Sequence, residues 1–260
     1  MKKILSISLI LSLFLAFTPL ADASHSWGPY HWARKINPFT LKLGDNVSSS
    51  WDAYLAAASA DWTGSSVLDT TIVAGNNTRN CKPTLGRIEV CNKTYGNNGW
   101  LGLAQIWINS SNHITRGITK VNDTYFNNAP YNTPAWKQFV MCQEIGHNFG
   151  LDHQDEDFYN PNLGSCMDYT NNPAGNGTST PNNLHPNAHD FAQLEAIYAH
   201  LDGSTTVGAS AVPRNYNPSS GEERAEWGKA LRQDGRRRNS VFEKDLGKGS
   251  KVITHVFWVE

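Results

Sequence analysis

The sequence has few charged residues and no concentrated charge of either sign. Only 17% of the 260 residues are Asp, Glu, Lys or Arg, and the net charge is −1. Residues 24–203 carry ten Lys/Arg against fifteen Asp/Glu, and residues 204–260 carry ten against seven. Neither part has the basic footprint that nucleic-acid binding requires, so no nucleic-acid partner is expected.

Long apolar runs are also absent, except at the N-terminus. There, two lysines precede an apolar and serine run over residues 4–17, and Ala21-Asp22-Ala23 offers small residues where a signal peptidase reads them. The run is short for a membrane span. We predict a signal peptide over residues 1–23, a secreted mature chain from Ser24, and no membrane association after cleavage. An uncleaved anchor is the alternative.

Cysteine is scarce, with four residues in the whole chain. In an exported protein these are candidates for disulfides, and four cysteines allow three pairings. We favour Cys81–Cys91, which closes a short loop, and Cys142–Cys166, which would join two parts of the candidate site described below. Free buried thiols are the alternative.

Apolar periodicity predicts one α+β domain over residues 24–203. Between residues 101 and 121, two β-branched runs separated by a polar turn should form neighbouring strands. Strands are expected at 39–42, 67–73, 88–91, 101–108 and 114–121, and helices at 49–62 with a Ser N-cap, from Pro134 to about His147, and from about Pro186 with Leu201 on its buried face.

After residue 203 the composition changes. Residues 204–222 are rich in Gly, Ser, Thr and Pro and are predicted to be a linker. Residues 223–260 are predicted to be a β-hairpin extension that turns at residues 247–250 and either docks on the main domain or forms a small appendage. We interpret the basic cluster at 236–238 as a solvated charge run, with a processing or polyanion-contact site as the alternative.

The run from Gln143 to His153 carries the strongest chemical signal. Residues 143 and 147 are four apart and share a helix face, with Glu144 beside them. Gly150 permits a sharp turn that can return His153 to the same point. Three ligands with an open fourth position are what catalytic zinc requires, and a neighbouring carboxylate can accept a proton from the attacking water.

This run resembles the metzincin signature H-E-x-x-H-x-x-G-x-x-H, and the variant with Gln at its first position is similar to that of gametolysin-type metallopeptidases. The segment Ser165–Tyr169 resembles the Met-turn of the same clan, which implies that Met167 lies beneath the metal and that Tyr169 can stabilise an oxyanion.

The resemblance covers most of residues 30–201. It implies a twisted, mostly parallel sheet with an antiparallel edge strand, an active-site helix and a C-terminal helix. In matrixins, an extended substrate pairs with the edge strand, which would here present Leu103 and Ala104.

The function implied by the resemblance is a secreted zinc-dependent endopeptidase that acts on proteins or peptides, expected as a monomer. Glu144 would be the general base, and Gln143, His147 and His153 would hold the metal. An amide oxygen is a poorer zinc ligand than imidazole, so copper or another divalent metal is an alternative. The alternative function is a non-catalytic binding protein that holds a peptide or glycan in the same cleft.

Other clusters are weaker. His185 and His189 are four apart, but packing or capping explains them as well as a second metal site does. The acidic residues Asp155, Glu156 and Asp157 form a solvated loop or, alternatively, a structural calcium site. The stretch between Ser24 and the first strand has no cysteine, so we expect no thiolate-type inhibitory segment there.

Overall fold

The computed structural model describes residues 25–76, 80–177, 179–210 and 227–260. The predicted signal peptide (residues 1–23), Ser24 and most of the predicted linker lie outside these residues. Within the described ranges, no helix is long and apolar enough to cross a membrane.

Nine strands and four helices follow one another along the described chain. The strands are β1 (His31–Trp32), β2 (Phe39–Asn46), β3 (Leu68–Ala74), β4 (Ile88–Lys93), β5 (Trp100–Ile108), β6 (His113–Asn122), β7 (Lys229–Gln233), β8 (Asn239–Gly247) and β9 (Ser250–Trp258). The helices are α1 (Asp52–Trp62), α2 (Asp123–Phe126), α3 (Pro134–His147) and α4 (Ala188–Ile197).

The strands form one mixed sheet in the order β3-β2-β4-β6-β5-β9-β8-β7, and β1 pairs with β6 outside this path. Strands β1, β2, β3, β4 and β6 pair in parallel, whereas β5 runs antiparallel to β6. The predicted α+β class, with α3 on the sheet and α4 near the end of the main domain, is confirmed.

Strand β5 does not lie at the edge of the sheet. Strand β9 pairs antiparallel with it, so that Leu103 faces Val256 and Ala104 faces His255. The prediction that Leu103 and Ala104 form a free edge is wrong, because the hydrogen-bonding side of β5 is taken by a strand from the same chain. A free edge attracts another strand, and here the C-terminal extension supplies it.

The extension is therefore docked and is not an appendage. Its hairpin, β8 and β9, continues the main sheet, and β7, which the sequence did not predict, pairs with β8. An apolar cluster ties the extension to β5 through Trp100, Leu103, Trp107, Trp227, Phe242, Val256 and Trp258. Burial of large aromatic side chains makes this attachment extensive.

Helix boundaries follow the local chemistry, with two corrections. The Thr133 hydroxyl accepts a hydrogen bond from the Trp136 amide at the start of α3, whose first residue is the expected proline. Helix α1 begins at Asp52 after Trp51, with no side-chain cap, so the predicted Ser cap is wrong. Leu201 lies past the end of α4 and is 56% exposed, so its predicted burial on that helix is also wrong.

Both favoured disulfides are present. The Cα atoms are 6.1 Å apart in Cys81–Cys91 and 6.0 Å apart in Cys142–Cys166. The second bridge fastens α3 to the segment that carries Met167, so it fixes one wall of the candidate site to the other.

Gly146 lets α3 lie directly on that segment. A Cβ atom at this position would lie 2.6 Å from Met167 Sδ and 2.6 Å from Trp62 Cζ2. Real side chains do not approach so closely, and both neighbours are fully buried.

We therefore predict that Gly146→Ala lowers the free energy of unfolding by about 1–3 kcal/mol, the usual effect of overpacking. Helix propensity alone would give the opposite sign, a gain of about 1 kcal/mol. The matched control is Gly203→Ala, where the added Cβ meets nothing within 4 Å. Urea unfolding of both variants measures the difference, and an unchanged or more stable Gly146→Ala would contradict the packing described here.

Candidate metal centre

Helix α3 and the turn after it bring two imidazoles together. Gln143, Glu144 and His147 are fully buried on α3. Gly150 has a φ of +96°, and a Cβ there would lie 2.5 Å from the Tyr30 carbonyl oxygen, so only glycine fits this turn. The turn returns His153 to α3, where its Nε2 lies 3.1 Å from Nε2 of His147.

The two facing nitrogens fit a shared metal ion. His147 Nδ1 lies 2.9 Å from the Leu151 carbonyl oxygen, which can only accept a hydrogen bond. Nδ1 therefore carries the proton, and Nε2 presents a lone pair to His153. In a tetrahedral zinc site with Zn–N distances near 2.0–2.1 Å, two ligand nitrogens are about 3.3 Å apart. The pair has the chemistry and the spacing that such an ion needs.

Gln143 adds an oxygen to this pair. Its Nε2 donates to the Cys166 carbonyl oxygen at 2.9 Å, which fixes the orientation of the amide. Its Oε1 is buried and has no hydrogen-bond partner among the described residues. A buried acceptor without a partner is costly, and metal coordination would satisfy it.

Glu144 is a buried carboxylate without a hydrogen bond. Neither of its oxygens has a hydrogen-bond partner in the described part of the chain. Gly102 on β5 makes room for it, since a Cβ there would overlap the carboxylate. Burial raises the pKa of Glu144 well above its usual value, because desolvation disfavours the charged form.

Met167 and Tyr169, the two residues singled out by the Met-turn resemblance, lie next to α3 and next to His153, respectively. Met167 packs under α3 at Gly146. The Tyr169 ring meets the His153 ring edge-on, with centroids 4.2 Å apart. Burial raises the pKa of Tyr169 well above its usual value, so the phenol keeps its proton and remains a hydrogen-bond donor.

A third imidazole in this cluster was not foreseen from the sequence. His255 of β9 stacks against His147 with ring centroids 3.9 Å apart. Ligand atoms of His147, His153 and His255 all lie within 4.8 Å of one another. Burial, followed by the two neighbouring imidazoles, lowers the pKa of His255 well below its usual value, so the ring is neutral. Strand alternation alone would have placed residues 253, 255 and 257 on one face, but not in this cleft.

The N-terminal segment also lines the cluster. Trp27 stacks on His147 with ring centroids 5.0 Å apart, and Ser26 forms a bridge with Leu151. The sequence of this segment contains no periodic pattern from which its position could have been predicted.

The weaker candidates do not converge. His185 bonds to Asp61 at 2.7 Å, whereas His189 stacks on His25, so these histidines pack separately. Asp155 accepts hydrogen bonds from Asp157 N and Asn160 Nδ2.

Glu156 lies beside Arg232 and His153. The calcium alternative for Asp155, Glu156 and Asp157 stays a prediction. The interpretation of the basic cluster at 236–238 as a solvated charge run is wrong for Arg236 and Arg238, which are bound to other side chains. Arg236 bonds to Tyr159, and Arg238 bonds to Asp234.

No protein-family model and no curated protein matches the chain. Among solved structures, the chain is similar to myroilysin at 13% identity, covering 65% of this chain and 96% of that one, with a TM-score of 0.38. It is also similar to High choriolytic enzyme 1, a hatching enzyme zinc-protease from Oryzias latipes (medaka fish), at 12% identity, with 65% and 94% coverage and a TM-score of 0.35. At these values the chemistry of the site must be inferred from its own geometry.

The burial of Glu144 predicts a pH effect on stability in metal-free protein. The folded pKa lies above the unfolded value of about 4.3. The folded state therefore binds more protons above this pH, and stability falls as pH rises through the folded pKa. Glu144→Gln removes this loss, so its stability relative to the wild type should increase as pH rises from about 4.5.

Urea unfolding of chelator-treated protein between pH 4.5 and 8 measures this difference. Glu195→Gln, at an exposed position, is the matched control and should follow the wild type. A Glu144→Gln difference that stays constant with pH would contradict the assignment of a desolvated carboxyl.

Proposed function

We propose that the protein is a secreted, zinc-dependent endopeptidase. The observation that carries the proposal is the pair of facing Nε2 atoms of His147 and His153, 3.1 Å apart, beside the unpaired buried carboxylate of Glu144. A buried carboxylate with a purely structural role would be hydrogen-bonded, whereas neither oxygen of Glu144 has a hydrogen-bond partner among the described residues.

In this proposal His147, His153 and Gln143 hold the metal. When bound, zinc lowers the pKa of a water molecule and polarises a substrate carbonyl. Glu144 accepts the proton of the attacking water on its carboxylate and passes it to the leaving amine. Burial raises the pKa of Glu144, which strengthens the carboxylate as a proton acceptor.

Tyr169 is the proposed donor to the oxyanion. Its phenol is protonated, and its ring is held by His153 and by Phe257, on which it stacks with centroids 5.0 Å apart. A donor fixed in this way stabilises developing negative charge without reorganisation.

Gln143 makes the proposed metal site weaker than one with three imidazoles, because its ligand is a neutral amide oxygen. Its amide is already oriented by the Cys166 carbonyl, so little entropy is lost on coordination. The pairing of β9 with β5 would block a substrate and a non-catalytically bound peptide or glycan equally, so it does not favour the alternative of a binding protein.

The test is hydrolysis of casein or a quenched peptide library by metal-loaded protein. The assay uses the full chain and the chain cut at a protease site inserted between residues 210 and 227, so that β9 is able to leave the cleft. We expect Glu144→Gln to lower kcat at least about 100-fold, the scale of general-base catalysis, with metal content unchanged.

Glu195→Gln is again the control and should keep full activity. Cleavage that survives in Glu144→Gln, or that survives removal of the metal by a chelator, would contradict the proposed mechanism.

A further inference from the structure

We propose that the C-terminal hairpin is a built-in occupant of the substrate cleft, with His255 as the side chain that it presents to the reacting groups. This inference rests on the proposed peptidase function and names how that site is regulated. Three independent contacts carry it: the pairing of β9 with β5, the position of His255, and the ion pairs of Arg232.

Strand β9 occupies the backbone of β5 that borders the catalytic helix. The pairing is antiparallel and runs from Gly102 opposite Phe257 to Ile108 opposite Lys251. An extended peptide that adds to a sheet uses the same backbone donors and acceptors. A substrate can therefore pair with β5 only after β9 has left it.

His255 lies between the two groups proposed to act on the substrate. Its Nδ1 is 3.5 Å from Glu144 Oε2, and its Nε2 is 3.4 Å from the Tyr169 hydroxyl. The imidazole thus fills the space in which a scissile carbonyl would have to meet both groups. Because its ligand atom lies within 4.8 Å of those of His147 and His153, it is also a further ligand for the metal.

Arg232 lies on β7, which pairs with the hairpin strand β8, and it links the C-terminal extension to the opposite wall of the cleft. Its guanidinium bonds to Asp152, the residue before His153, and to Glu156, 3.1 Å away. Asp152 is nearly buried, with 6% of its side chain exposed, whereas Arg232 is 42% exposed. Loss of this arginine would weaken the docking of the hairpin without opening the core.

Phe257 provides the apolar part of the attachment. It is fully buried and packs against Phe139, Phe158 and Tyr169. The hairpin is held by its own chain, so it competes with substrate as an intramolecular ligand at high effective concentration.

The test compares Arg232→Ala and His255→Ala with the control Lys244→Ala, which lies on the hairpin strand β8 that does not pair with β5. All variants are measured in the zinc-loaded full chain. Two quantities are measured: hydrolysis of a quenched peptide, and binding of a fluorescent peptide with the sequence of residues 250–258. Binding is measured in a Glu144→Gln background, so that the peptide is not cleaved.

We expect Arg232→Ala to tighten peptide binding and to raise hydrolysis by about fivefold, the effect of roughly 1 kcal/mol from partly exposed ion pairs. His255→Ala should raise both by more, since it also vacates the space beside Glu144. Unchanged binding in both variants relative to Lys244→Ala would overturn the inference. Tighter binding with no hydrolysis in any variant would support it and overturn the peptidase function instead.

A second cluster of histidines with one aspartate lies outside the proposed catalytic site. We infer that His31, His113, His200 and Asp202 bind a structural zinc ion. His31 lies on β1, His113 opens β6, and the other two follow α4, so an ion there would join three separate parts of the chain.

Ligand atoms of His31, His113 and Asp202 lie within 4.8 Å of one another, and His200 lies beside two of these residues, His31 and Asp202. Asp202 Oδ1 lies 3.3 Å from His31 Nε2, 3.3 Å from His113 Nε2 and 3.7 Å from His200 Nε2. His200 Nε2 is 3.2 Å from His31 Nε2. Ligand atoms around tetrahedral zinc are about 3.3 Å apart, and three imidazoles with one carboxylate are ligands that zinc accepts.

The surroundings orient these ligands as a metal site requires. His31 Nδ1 lies 2.9 Å from the Pro29 carbonyl oxygen, which can only accept, so Nδ1 carries a proton and Nε2 is the ring nitrogen that faces the cluster. The other oxygen of Asp202 accepts from the Arg34 amide and guanidinium, which leaves Oδ1 for the cluster. Such outer contacts fix the rings and carboxylates that bind metals.

The measurement is zinc per chain after dialysis, in the full-length wild type and in His113→Ala and His200→Ala. The control is His185→Ala, a partly exposed histidine paired with Asp61. We expect each cluster variant to hold one zinc fewer than the wild type, whatever the occupancy of the catalytic site, and zinc to raise its Tm by less. His200 is largely exposed, so its variant should fold normally. Equal zinc content in both variants and the wild type would mean that the cluster shares protons and would overturn the inference.

Discussion

The close approach of the His147 and His153 nitrogens is the constraint on which the rest of the site depends. Nε2 of His147 and Nε2 of His153 are 3.1 Å apart, and at this distance two lone pairs cannot face each other without a proton or a cation between them. The surrounding structure holds them there. Gly146 sets α3 on Met167, Gly150 makes the turn, and the Cys142–Cys166 bridge fastens the two walls. A rigid scaffold of this kind is what a catalytic metal site requires.

The same scaffold explains why the neighbouring polar atoms are left without partners. Gln143 Oε1 and both oxygens of Glu144 are buried and accept no hydrogen bond from the described residues. Proteins rarely tolerate such atoms except where a ligand or a reaction uses them. The energetic cost is concentrated within two adjacent residues of α3, which is the place where the proposed chemistry needs a metal ligand and a base.

Local signals in the sequence were sufficient to predict α3 and the turn after it. Thr133 and Pro134 mark where α3 begins, and Gly150 marks where the chain reverses, because each acts through its own backbone. The partner of β5 could not be predicted in this way. Which strand pairs with which depends on side-chain packing between residues about 150 positions apart, and the alternation in β9 states only which side chains share a face.

His255 and the four-residue cluster around Asp202 show the same limit. Each of these histidines is unremarkable in its local sequence, and only the folded chain brings it to another ligand. The prediction of a free edge at Leu103 and Ala104 is wrong for the same reason, because β9 of the same chain pairs with β5 there. In the proposed peptidase, substrate access to β5 is therefore controlled by the pairing of β9 with β5.

The most direct test is a crystal structure of the zinc-soaked full chain with anomalous diffraction measured at the zinc edge. An anomalous peak is expected between His147 Nε2 and His153 Nε2, at about 2.0–2.2 Å from each and within reach of Gln143 Oε1 and the His255 ring. A structure in which these two nitrogens stay 3.1 Å apart with no peak between them, at zinc concentrations that occupy other sites, would contradict the account.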